Sequence, residues 1–137
     1  MIETPVLVDA NVLLDILTAD PAWLTWSSTA LGRARAVASV VVNPIICAEL
    51  APAFQFDWQK LNQWLQPSSI IQEAIPFPAS VIAAKAHVAY RVSGGTRSTP
   101  LPDFFIGAHA EHAGYSLLTR DAARYRTYFP RVPLIAP

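Results

Sequence analysis

The chain is poor in cysteine, lysine and glycine: among its 137 residues are one cysteine, two lysines and five glycines. Cys47 lies in the apolar stretch Ile45-Ile46-Cys47-Ala48 without a partner in the chain, which excludes an internal disulfide framework and fits a reducing compartment. The same apolar neighbours disfavour the thiolate that a Cys–His nucleophilic pair requires. Gly94-Gly95 lacks the lysine of a phosphate-binding loop and reads as a helix stop. His109 and His112 stand three apart with no third nitrogen or sulfur ligand at zinc spacing, so the expectation for them is a solvated helix face. No apolar run approaches the roughly 18 residues of a membrane span, and no basic leader opens the sequence. A soluble, cytoplasmic protein without a membrane partner is expected.

There is also no excess of either charge, with 10 Lys+Arg against 10 Asp+Glu. No overall field then draws in polyanions, and any contact with nucleic acid has to come from local basic clusters. Arg120, Arg124, Arg126 and Arg131 gather near the C-terminus, beside Asp121. Guanidinium groups suit phosphate, although ordinary surface solvation accounts for such a cluster equally well.

What is abundant is apolar side chain, 53% of the sequence against 15% charged, enough to fill one core and too little charge for a disordered tail. A single domain over residues 1–137 is expected. Pro5-Val6-Leu7-Val8 and Ala36 to Val42 read as buried central strands. Ile70-Ile71 and Ser116 to Thr119 are weaker candidates, and Val132-Pro133-Leu134-Ile135 reads as an edge strand because of its proline. Helices are predicted from Ala22 to Ala34 after Asp20-Pro21, from Ile45 to Leu50 after Asn43-Pro44, and from Trp58 to Leu65 after Asp57. In each case a cap oxygen can accept an orphan N–H. Two further helices are predicted, from Pro78 to Val92 and from Pro102 to Ala113, the second closed by Gly114. Strands alternating with helices imply an α/β fold: a mostly parallel central sheet flanked by helices on both faces. The loop from Ser93 to Pro100 is placed to border a site.

Ligands of open α/β sheets bind beyond the carboxyl ends of the strands, and three acids stand there. Asp9 follows the first strand, Glu49 lies on the helix after the second, and Asp121 follows Thr119 by two residues. Asp103 joins them from the first turn of its helix, where the helix dipole favours an anion. Taken singly, each is best explained as a cap or a solvated side chain. Together, set beside core positions, they repel one another and take up protons unless a cation compensates them. Oxygen-only ligands select a hard cation such as Mg²⁺.

The stretch Val6-Leu7-Val8-Asp9-Ala10-Asn11-Val12-Leu13-Leu14-Asp15 resembles the opening of PIN-domain nucleases. Glu49 in Ile46-Cys47-Ala48-Glu49-Leu50, Asp103 in Pro102-Asp103-Phe104-Phe105-Ile106-Gly107-Ala108-His109-Ala110, and Asp121 in Leu117-Leu118-Thr119-Arg120-Asp121 match the remaining acidic motifs of that family in order. Small members of this kind look like VapC toxins. The resemblance implies a PIN-like fold and Mg²⁺-dependent cleavage of RNA, with Mn²⁺ able to substitute. It also implies a homodimer and a small antitoxin encoded nearby. It carries over Asp9, Glu49, Asp103 and Asp121 as catalytic, metal-holding acids and Asn11 and Thr119 as polar support, with Arg120 and Arg124 as candidate RNA contacts. Asn11 departs from the Ser or Thr often found at its position, and Asp15 reads as structural.

Two other acid-based chemistries fit less well. An Asp-dependent phosphatase of the haloacid-dehalogenase type needs a second acid two residues after the first, where this chain has Asn11. A receiver domain needs a lysine after a late strand, whereas Lys60 and Lys85 fall within predicted helices. A catalytically silent PIN-like module that binds RNA or protein is the alternative of a different class. Trp23 and Trp26 form an apolar stripe that suits either core or a groove for a partner's helix. Trp58 and Trp64 are expected to pack inside.

Overall fold

A computed structural model describes residues 3–94 and 101–137. Gly95 and the remainder of the expected loop up to Pro100 lie outside the described residues. The strands are β1 (Val6–Val8), β2 (Val40–Val42), β3 (Ile71–Gln72), β4 (Ser116–Leu118) and β5 (Leu134–Ile135). They form one sheet in the order β3-β2-β1-β4-β5, every pairing parallel. The helices are α1 (Ala10–Leu17), α2 (Leu24–Val37), α3 (Pro44–Leu50), α4 (Trp58–Leu65), α5 (Ala79–Val92), α6 (Leu101–Ala113) and α7 (Ala122–Tyr128).

Leu7 and Val8, consecutive on β1, are both fully buried, and so are Leu117 and Leu118 on β4. Successive strand residues point to opposite faces, so the sheet is covered on both, as its unbroken apolar runs predict. The caps read from the sequence are in place. Asn43 accepts from Ile46 N at 3.0 Å ahead of Pro44, and Asp57 accepts from Gln59 N at 2.9 Å. Asp20 accepts from Ala22 N at 2.8 Å and Trp23 N at 3.0 Å, although α2 proper begins only at Leu24. Gly114 ends α6 at φ +72°, a left-handed conformation that suits glycine.

Two expectations of the fold need correction, and two helices are added to those expected. The strand expected from Ala36 to Val42 shrinks to Val40–Val42, because α2 continues through Ala36 and Val37 until Ala38 N closes on Ala34 O at 2.9 Å. Alanine is the strongest helix former, and here it outweighs a single β-branched neighbour. α1 and α7 carry no separate sequence signal. The first runs on from the apolar residues of β1 without a turn, and the second is short and mostly polar. Trp58 is 53% exposed rather than packed, whereas Trp64 does pack, 5.7 Å from Phe54.

The strand order positions the site. From central β1 the chain builds outward through β2 and β3, then returns to the other side of β1 for β4 and β5. The crevice at the carboxyl ends of β1 and β4 is therefore the switch point where α/β sheets hold their ligands. Asp9 N donates to Leu118 O at 2.9 Å, which ties the first residue after β1 to the end of β4. Gly107 brings the last two helices together: the Phe129 ring lies where its Cβ would be, 2.4 Å away. No larger residue fits there, so Phe129, just past α7, seats directly on the α6 backbone one turn beyond Asp103.

Candidate active site

At this switch point a cavity of about 220 Å³ is lined by Asp9, Glu49, Asp103 and Asp121, together with Arg124 and Tyr125. All four sequence-predicted acids thus face one space, each from a different element. Asp9 is the deepest, 6% exposed, and it caps α1 by accepting from Ala10 N at 2.8 Å through Oδ1. Its Oδ2 accepts from Thr119 Oγ1 at 2.9 Å, Tyr125 OH at 3.2 Å and Asn11 Nδ2 at 3.4 Å. Thr119, fully buried, also accepts from Asp121 N at 3.0 Å and Asn11 Nδ2 at 3.3 Å. Asn11 Oδ1 accepts from Arg120 N at 3.1 Å. Asn11 and Thr119 therefore stitch the turn after β4 to the start of α1 and fix the Asp9 rotamer.

The electrostatics are those of crowded acids. Burial raises the Asp9 carboxyl above the usual carboxylate range, and the charge of Asp103 adds to this against the hydrogen bonds from Thr119 and Ala10 N. Asp103 is raised by burial and by Asp121, against the opposing pull of Arg124. Glu49 is pushed up to about 7, first by partial removal of its carboxyl from water and then by Asp9 and Asp103. Its side chain as a whole stays exposed, so solvent screens part of that crowding. Burial and the same acids hold the Tyr125 phenol far above its ordinary value, so it remains a hydrogen-bond donor.

Oxygen-only donors suit a hard cation, and Mg²⁺ characteristically takes one or two carboxylates while retaining waters. Among the described residues no three His, Cys, Asp or Glu side chains come close enough to form a closed metal cage. The cavity is nevertheless several times the roughly 30 Å³ that a water occupies in the liquid. The residues therefore fit a partly hydrated ion held by a subset of the acids.

The two arginines differ. Arg120 grips Asp15 with two prongs, Nε to Oδ2 at 2.7 Å and Nη2 to Oδ1 at 3.0 Å, and lies 4.9 Å over the Trp23 ring. Asp15, 3% exposed, also accepts from Ser27 Oγ at 2.7 Å, so its pairing is internal and Arg120 is turned away from the cavity. Arg124 instead lines the cavity and donates to Asp103 Oδ2. The sequence reading did not single out Tyr125. The signal available was spacing, since Asp121, Arg124 and Tyr125 at i, i+3 and i+4 share one helical face. Trp23 and Trp26 meet edge to face at 6.3 Å, both half-buried, with Arg120 covering the first.

His109 departs from the expectation of a solvated face: it is fully buried, while His112 is exposed. Asn43 Nδ2 lies 3.1 Å from His109 Nδ1, His109 Nε2 lies 3.2 Å from Glu73 Oε1, and Tyr115 OH donates to both Glu73 oxygens at 2.9 and 2.8 Å. Partners for both ring nitrogens, Asn43 and a Glu73 itself held by Tyr115, explain the burial of this imidazole.

The comparisons with known proteins bear on the fold and the family. Among curated protein sequences none matches the chain. Among solved structures, the VapBC2 complex of Rickettsia felis bound to a promoter DNA fragment matches at TM-score 0.76 and 14% identity, covering 97% of this chain and 98% of that chain. VapBC-1 from nontypeable Haemophilus influenzae matches at TM-score 0.73 and 13% identity, covering 96% and 97%. A DNA-bound VapBC from Salmonella typhimurium matches at TM-score 0.71 and 12% identity, covering 98% of each. At these identities the likeness is one of fold. The PIN-domain family model matches residues 6–130, almost the whole chain and a span that contains all four acids, and the protein therefore belongs to the PIN-domain family.

Proposed function

We propose that the protein is a Mg²⁺-dependent endoribonuclease acting as the toxin of a toxin–antitoxin pair. The observation that carries this reading is the convergence of Asp9, Glu49, Asp103 and Asp121 on one cavity at the switch point of the sheet. Membership of the PIN family supports hydrolysis of nucleic-acid phosphodiesters, and the toxin–antitoxin complexes among its structural neighbours support an antitoxin partner.

Asp9, Glu49, Asp103 and Asp121 would hold the ion, some directly and the others through its waters. The chemistry that Mg²⁺, or Mn²⁺ in its place, supplies when bound is a lowered pKa for an attacking water and neutralisation of phosphate charge. Asp9 is prepared for its part by Thr119, Tyr125 and Asn11, which fix its Oδ2 before any ligand arrives. Burial of Thr119 excludes water from behind that carboxylate. The full chain acts as one domain, in the cytoplasm and as a homodimer.

The test is cleavage by purified protein, with RNA ends sequenced after a brief reaction. Cleavage is expected to vanish with EDTA and to return with excess Mg²⁺ or Mn²⁺. EDTA-resistant cleavage would overturn the mechanism. Production of the protein alone should arrest bacterial growth, a small protein encoded beside it should relieve the arrest, and light scattering should give a mass well above 14.9 kDa.

The absence of a closed cage among the described residues favours one second reading, a silent module that binds without cutting. A thermal shift with millimolar Mg²⁺ or Mn²⁺ separates the two, because a ligand that binds only the folded state raises its stability and a site that holds no metal gives no shift.

A further inference from the structure

Arg120 and Arg124 lie four residues apart and each pairs with an aspartate, but the two pairs are built differently. Arg120 has two nitrogens on Asp15 and a ring beneath its guanidinium, a locked structural pair. Arg124 reaches Asp103 through Nη1 alone, and both side chains retain partial exposure, 26% and 20%. A guanidinium carries five N–H donors, so most of those on Arg124 have no protein partner among the described residues. The pair also sits on the wall of the acidic cavity, where Asp103 Oδ2 is one of the oxygens a cation would use.

We propose that Arg124 is an internal counter-ion, which a divalent cation must displace from Asp103 and which, once displaced, takes a phosphate of the RNA strand. This rests on the metal-dependent reading above. Two cations within hydrogen-bond reach of one carboxylate repel each other strongly at the effective dielectric of a half-buried site. Arg124 therefore weakens metal binding in the free protein while sparing it the full repulsion of four acids. The coupling is reciprocal: whatever draws Arg124 away from Asp103 must tighten the metal, and metal must free Arg124. An RNA phosphate is suited to draw it away, since guanidinium matches phosphate in geometry and charge. The cation and the RNA then assist one another, and the free protein stays poorly loaded until substrate arrives.

The test is calorimetric titration of the full chain with Mn²⁺ alone, wild type against Arg124→Gln, together with RNA affinity in Ca²⁺ and in EDTA. The expected result is Mn²⁺ affinity at least about tenfold tighter in Arg124→Gln. RNA affinity should fall about tenfold in Ca²⁺ and by clearly less in EDTA, where Asp103 competes with the phosphate for the arginine. Mn²⁺ affinity that is unchanged or weaker in folded Arg124→Gln would overturn the proposal, as would an equal loss of RNA affinity in EDTA. If Arg124→Gln fails to fold, Arg124→Met, which keeps the aliphatic stem without the charge, replaces it, and its Mn²⁺ affinity must exceed that of the wild type. Mn²⁺ binding to neither protein would remove the metal-dependent reading and this proposal with it, whereas binding without a change removes the proposal alone.

Discussion

Two polar clusters stand near the carboxyl edge of the same sheet and are resolved in opposite ways. In the Asn43, His109, Glu73 and Tyr115 cluster the donors and acceptors match. Asn43 Oδ1 accepts from Ile46 N, so its Nδ2 must donate to His109 Nδ1, and the ring proton sits on Nε2 facing Glu73. Tyr115 supplies Glu73 with a further donor. The acidic cavity is not balanced. Asp9 is well supplied with donors, yet among the described residues the carboxylates of Glu49 and Asp121 have no hydrogen-bond partner, and Arg124 is the single cation on the wall. A polar cluster closed upon itself stabilises a fold, whereas one left with surplus charge is arranged for something the chain does not contain.

The largest expected effects break the cavity. Asp9→Asn and Asp103→Asn should each lower cleavage by about 10²-fold or more, because the amide keeps size and one acceptor oxygen but removes the charge proposed to hold the ion. Melting temperature in EDTA should hold or rise in Asp103→Asn, since one source of like-charge repulsion is gone, whereas in Asp9→Asn that gain is offset by the hydrogen bonds that an amide nitrogen cannot accept. Activity lost together with several degrees of stability would mark these acids as structural and erase the contrast. The mirror experiment is His109→Ala, which empties a fully buried site and leaves Asn43 and Glu73 without their partner. It should cost about 3 kcal/mol in urea unfolding while leaving Mn²⁺ affinity of the folded fraction unchanged. A cost under about 1 kcal/mol would show that the cluster does not hold the fold together.

The same contrast explains what was legible in the sequence. The acids could be read because their chemistry is announced by position: Asp9 directly after a strand, Asp103 in a first turn, Asp121 two residues past Thr119. The parallel sheet followed from strands that are apolar on every residue, such as Val6-Leu7-Val8. His109 could not be read, because its hydrogen-bond partners are Asn43 and Glu73, and no local pattern reports a hydrogen bond across such separations. The end of α2 was misplaced for a related reason. Val37 suits a strand by propensity, yet the alanine-rich α2 carries through it, and pairing with β1 begins only at Val40, opposite Val6. Tyr125 lay within reach of a helical-spacing argument, but α7 itself was too short and polar to announce that it was a helix.

The smallest effect is the most discriminating, because it measures surplus charge directly. Glu49 has its folded-state pKa raised from 4.5 to about 7, so the metal-free folded protein binds this proton more tightly than the unfolded chain does. Its ionisation therefore opposes folding. The penalty is absent below pH 4.5, grows between there and pH 7, and is complete above that, so metal-free stability should fall as pH rises through this window. Other carboxylates titrate nearby, which makes the useful quantity the difference between wild type and Glu49→Gln in urea midpoint. With EDTA that difference should be small at pH 4.5 and should favour Glu49→Gln at pH 8. Salt should shrink it, because Glu49 is exposed and part of the effect is repulsion from Asp9 and Asp103, which about 1 M salt screens beyond roughly 3 Å. Excess Mg²⁺ should reverse its sign at pH 8, since an ion that needs the ionised carboxylate turns a liability into a ligand. A difference independent of pH would mean that Glu49 does not feel the other acids, and the cavity would then be four separate carboxylates instead of one site.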